Sequence, residues 1–190
     1  KARAERKRLA AVIPDAFLDR PSGLLRDCAD TSIPLTFSEM GHALAVTTGV
    51  LGDRAAEVWD RFRAYAAANP PAPPKRPHVH DPHAAPSIVS GQVIHPSPFG
   101  KYATFEALGR LGRKEEILRD IMAGWAPMVE AGSDTAWESF AGEASWCHGW
   151  AGTPVVALMR YVFRIDPRRP CKRRIRKLGD LAWAECEVLA

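Results

Sequence analysis

The chain has 190 residues, 46% of them hydrophobic, enough for one domain with a core or a little more. The formal net charge of +4 is concentrated in Lys1–Arg8 and Arg164–Lys177, with the rest of the chain near balance, so the whole does not read as a nucleic-acid binder. No apolar run is long enough for a membrane span, and Cys28, Cys147, Cys171 and Cys186 form neither a CxxC pair nor a dense framework; they read as free thiols, as in a reducing compartment.

In chain order, Leu9, Val12, Ile13, Ala16 and Phe17 predict a first helix, with Pro14 kinking it or marking its first turn. "LLRDCADTSIP" reads as a loop or a short extended piece. Met40, Ala43, Leu44, Thr47 and Leu51 predict a second helix with Ser38 as N-cap. Leu51-Gly52-Asp53 turns the chain into a third, whose apolar face is Val58, Trp59, Phe62 and Tyr65. The proline-rich Asn69–Ser87 denies both helix and sheet. Tyr102, Phe105, Leu108 and Leu111 predict a helix ended by Gly112, and Ile117, Leu118, Ile121, Met122 and Trp125 predict its partner, ended by Gly132. Val155, Leu158, Tyr161, Val162 and Ile165 predict a last helix entered near Pro154. Beyond Pro170, Ile175, Leu178, Leu181 and Trp183 alternate with charges, as in strands or an irregular segment. Leu-Gly-charged turns recur at 51–53 and 111–113, so the helices pair as αα-hairpins.

Chemistry concentrates in "AGSDTAWESFAGEASWCHGW", residues 131–150. Glu138 follows Trp137 past a helix end, and His148 lies between Trp146 and Trp150. Indole faces stack on the C–H faces of a sugar, and carboxylates and imidazoles bond its hydroxyls, so the composition suits a carbohydrate. The plainer alternative makes Trp137, Trp146 and Trp150 core residues and Glu138 a helix cap. "HVHDPH" (His78, His80, Asp81, His83) is the competing signal, for Zn2+ or Ni2+, against a solvated loop; His42 and His95 read as structural. The basic run "RIDPRRPCKRRIRK" reads as a solvated junction, or as a surface for an acidic partner.

"FSEMGHALAV" (37–46), "SPFGKYATFEALGRLGR" (97–113), "WAPMVEAGSDTAWESF" (125–140), "SWCHGWAGTPV" (145–155) and "KLGDLAWAE" (177–185) together resemble the C-terminal half of the catalytic domain of bacterial α-L-rhamnosidases, glycoside hydrolase family 78. The most specific part is Thr-x-Trp-Glu followed by Cys-His-x-Trp. The resemblance implies an all-α fold, a partial (α/α)6 toroid of helical hairpins over 1–167, with 168–190 as the junction and first strands of a C-terminal β-sandwich. It implies hydrolysis of terminal α-L-rhamnosides with inversion, without a cofactor or metal. Glu138 falls on the family's general base, His148 on its sugar-binding histidine, and Trp137 and Trp150 on walls of the same pocket. Inversion also needs a general acid. The resemblance puts that acid upstream of Lys1, so the chain is expected to be an inactive fragment whose partners are a rhamnose-containing glycoside and the missing N-terminal half of the domain. A non-catalytic six-hairpin carbohydrate-binding or scaffold module is the alternative. No nucleic-acid or membrane partner is expected.

Overall fold

The computed structural model describes residues 2–70, 90–142, 144–166, 168–169, 171–178 and 181–188. The proline-rich segment with His78, His80, Asp81 and His83 lies outside the described residues. The chain divides into two units, Lys1–Pro96 and Ser97–Ala190.

The first unit opens with helix α1, Ala2–Phe17, which runs past Pro14 to its end. Strands β1 (Leu18–Asp19) and β2 (Leu24–Leu25) pair antiparallel around a turn in which the Asp19 side chain accepts from the Ser22 amide and hydroxyl. Strand β3 (Thr36–Ser38) leads directly into helix α2 (Glu39–Thr48). Ser38 caps that helix by accepting from the Gly41 amide, and Asp27 holds the cap in place by accepting from the Ser38 amide and the Thr36 hydroxyl. Gly49, in the left-handed region at φ 77, ends it. A 3-10 turn at Gly52–Arg54 then reverses the chain into helix α3 (Ala55–Ala68). Strand β4 (Gln92–Ile94) lies parallel to β3, with Phe37 opposite Val93. Parallel strands need a long crossover, and α2 and α3 are part of it. Leu24, Phe37, Phe62 and Val93 form the core, with Leu35, Tyr65 and Ala66 packed against it.

The second unit starts with helices α4 (Lys101–Arg110) and α5 (Lys114–Glu130), joined at Gly112, whose φ of 73 suits glycine. Phe105, Leu108, Ile117, Ile121 and Met128 are buried between the elements. Lys101 and Asp120 form a 3.0 Å ion pair from facing helices, both nearly shut off from solvent. Helix α6 (Thr153–Ala157) passes into a π-helical segment, Leu158–Phe163. Tyr161 packs flat on α4 at Gly109, where a Cβ would come within 2.2 Å of the ring. Strands β5 (Cys171–Leu178) and β6 (Leu181–Val188) form an antiparallel hairpin. Across it Lys172 pairs with Glu185 and Glu187, and the Arg174 guanidinium lies 4.3 Å over Trp183.

Two expectations are corrected. The all-α partial (α/α)6 toroid does not stand: among the described residues the helices are joined by three two-stranded sheets, a mixed α/β architecture. The αα-hairpins α2–α3 and α4–α5 do form, but β1–β2 and β3–β4 are too short to print a period-two pattern on the sequence, and only backbone pairing reveals them. The apolar stripe of α2 is also displaced. Met40 and Leu44 are exposed, and the buried face is Glu39, His42, Ala43 and Val46. Polar residues take the inner face because their hydrogen bonds are met there.

Candidate functional site

Residues 131–150 follow α5 as one long loop, and α5 anchors it. Gly132 at φ 77 turns the chain out of the helix, with the Gly132 and Ser133 amides donating to the Val129 and Met128 carbonyls. Phe140 meets Trp125 edge-on at 5.0 Å and presses on Gly124, where a Cβ would be 2.6 Å from the ring. The Trp125 indole N–H donates to the Ala151 carbonyl, tying the far end of the loop to the same helix. The loop therefore leaves α5 and returns to it.

Within the loop, two strands of backbone face each other. The Glu138 amide donates to Ser145 O at 2.9 Å, and the His148 amide donates to Ala136 O at 2.8 Å. The Thr135 hydroxyl donates to Trp146 O. These bonds bring the Thr-x-Trp-Glu segment alongside the Cys-His-x-Trp segment. The indoles of Trp137 and Trp146 stack at 5.7 Å with 25° between their planes. Each is held by its N–H, Trp137 donating to the Ser133 hydroxyl and Trp146 to Gly142 O. Gly142 is required beneath them: at φ 71 it lies under Trp137, and a Cβ would be 3.3 Å from the indole.

The expected site residues fall as follows. Glu138 is exposed, and its carboxylate accepts from the Ser145 amide at 3.4 Å. Among the described residues it has no ion-pair partner. His148 is half-buried, with its backbone committed to Ala136 and Ala151. Trp137 is half-buried in the stack. Trp150 is 73% exposed and meets Phe99 edge-on at 6.1 Å. Trp146 is 64% exposed and Phe99 is 52% exposed. Trp146 and Trp150 are thus surface rings, not core, and Glu138 caps no helix. Phe99 was not singled out from the sequence. Its only signal was the "SPFG" turn before α4, and turn chemistry says nothing of which distant ring a phenylalanine meets.

A second Glu and His set lies in the first unit. Glu39 and His42 are fully buried in α2. The Leu25 amide donates to His42 Nε2 at 3.0 Å, and Nδ1 is 2.8 Å from Ser38 O. An amide only donates and a carbonyl only accepts, so this histidine is neutral with its proton on Nδ1. Burial pushes its pKa down, outweighing the Ser38 carbonyl and the Asp27 charge. His42 stacks on Phe62 at 4.3 Å, and His95 Nδ1 is 3.0 Å from Glu39 Oε2. Both ring nitrogens of His42 are occupied by the fold, so it holds structure and has no lone pair for a ligand.

Among the described residues no group of three or more His, Cys, Asp or Glu could hold a metal ion, and no helix is long and apolar enough to cross a membrane. The cysteines are free, with Cys28 and Cys147 exposed. No family model, curated protein or solved structure matches the chain.

Proposed function

We propose that the 131–150 loop is a sugar-binding surface of an inverting glycoside hydrolase that removes terminal α-L-rhamnose, with Glu138 as general base. The observation that carries the reading is the pairing of the two loop segments, which gathers an exposed carboxylate, an imidazole-bearing residue and a stacked indole pair onto one solvent-facing loop. A deoxyhexose offers a methyl group and axial C–H bonds to an indole face, and hydroxyls to Glu138 and His148. In inversion a carboxylate takes a proton from water as that water attacks the anomeric carbon. An exposed carboxylate beside a ring surface is open to such a water.

Only the base is assigned, so the 190-residue chain is expected to bind L-rhamnosides and hydrolyse them slowly or not at all. Titration with methyl α-L-rhamnoside, followed by the indole N–H signals, should shift those of Trp137, Trp146 and Trp150, with glucose as the control. Indole signals that stay fixed while the sugar reaches high concentration count against the reading. In any form of the protein that cleaves aryl α-L-rhamnosides, Glu138→Gln should lower kcat by roughly 10²–10⁴ with KM nearly unchanged. A near-normal kcat refutes the base assignment.

The exposure of Trp146, Trp150 and Phe99 also favours a second reading, a carbohydrate-binding surface without catalysis. It is the better one if rhamnoside binding is intact and no form of the protein turns over.

A further inference from the structure

The basic run that the sugar site leaves unused lines a cleft in the second unit. Its walls are Arg160, Arg164, Ile165, Asp166 and Arg168, around an open volume of about 670 Å³. Most of its charges already have partners. Arg160 bonds Glu106 at 3.0 Å and the Tyr102 hydroxyl at 3.3 Å. Arg168 grips Asp166 with Nε at 2.9 Å and Nη2 at 3.1 Å, and this pairing holds the Asp166 carboxyl down at about 2. Arg173 of β5 donates to the Arg164 carbonyl at 3.1 Å. Arg164 differs: among the described residues its guanidinium has no hydrogen-bond or ion-pair partner.

The backbone under Arg164 is unusual as well. The segment Leu158–Phe163 is π-helical, a rare form found mostly as short insertions in α-helices and frequently at functional sites. Arg164 ends it at φ 54 and ψ 50, in the left-handed region where a helix end ordinarily carries glycine. The turn is fixed by the Ile165 amide donating to Met159 O and by the Arg173 bond to the Arg164 carbonyl. An arginine in a glycine's place carries a strained backbone, a cost that nothing among the described residues offsets.

We propose that this cleft binds a tetrahedral oxyanion, a phosphate or sulfate group carried by a ligand, with Arg164 as its principal contact and Arg160 and Arg168 flanking it. The guanidinium fork offers paired N–H donors to two oxygens of such a group. Three guanidiniums, from Arg160, Arg164 and Arg168, line the cleft against the carboxylates of Asp166 and of Glu106, which pairs with Arg160, so the cleft keeps positive charge. Ile165 provides an apolar wall for the carrier of the anion. The site is independent of the 131–150 loop.

Arg164→Gly tests it, because glycine adopts the same backbone without strain. The whole chain is titrated with inorganic phosphate, sulfate and acetate at constant ionic strength, by calorimetry or amide chemical shifts. Phosphate and sulfate should bind wild type at least about tenfold more tightly than acetate, and R164G should keep or raise the thermal midpoint while losing about tenfold or more in phosphate affinity. Arg168→Gln serves as a second variant, with a smaller loss. A preference for phosphate over sulfate points to a phosphorylated ligand, and the reverse to a sulfated one; both sustain the site. Unchanged phosphate binding in R164G overturns the proposal, as does acetate binding as tightly as phosphate.

Discussion

Two regions of this protein are built from the same side chains and use them in opposite ways. In the first unit His42 stacks on Phe62 and His95 meets Glu39; in the second, Glu138 and His148 share one loop with the stacked Trp137 and Trp146. Glu39 and His42 have no solvent exposure, and both imidazole nitrogens of His42 are taken up by backbone groups. Glu138 is exposed, and so are Trp146 and Trp150. Residue type therefore does not decide whether a carboxylate and an imidazole serve folding or meet a solute. Burial does, because a buried polar group must spend its bonds on the protein around it.

The sharpest way to break this contrast is His42→Leu. It leaves the buried Leu25 amide without its acceptor and removes the ring stacked on Phe62, and should cost about 3 kcal/mol by urea denaturation. A variant as stable as wild type would mean His42 does not hold the α2–β2 junction. The same residue carries a pH signature. Its folded pKa lies below the unfolded value of about 6.5, so between the two values the folded chain binds fewer protons than the unfolded one. The stability linked to His42 is thus fully present above about pH 6.5 and declines as the unfolded state protonates, levelling off below the folded pKa. Urea midpoints of wild type should fall between pH 7.5 and 5 more steeply than those of His42→Gln, and equal slopes would show that the ring is not neutral. Ser38→Ala removes the α2 cap and should cost about 1 kcal/mol, read in the same denaturation experiment. On the exposed side, Glu138→Gln and Trp150→Ala should change stability by less than about 0.5 kcal/mol. A larger loss from either would turn the loop from a binding surface into part of the core.

Much of the fold was legible because its signals are local. The Leu-Gly turns at 51–52 and 111–112 bound two helical hairpins, Ser38 was visible as a cap, and Gly112 and Gly132 as helix ends. The gathering of chemistry in 131–150 was visible too, as composition. The exposure of Trp146 and Trp150, and the meeting of Trp150 with Phe99, were not. Nor was the inner face of α2: Met40 and Leu44 carry the stronger apolar pattern, yet Glu39 and His42 face inward.

The amino-acid order by itself determined the helices, their caps and their turns, since these rest on hydrogen bonds and backbone preferences within a few residues. Tertiary structure decided the rest: the parallel pairing of Thr36–Ser38 with Gln92–Ile94, the burial of Glu39 and His42 and the exposure of Glu138, and the placing of Arg164 in a basic cleft. A side chain's surroundings are supplied by segments far away in the chain, and whether a polar group finds its partner there is settled only once those segments have packed.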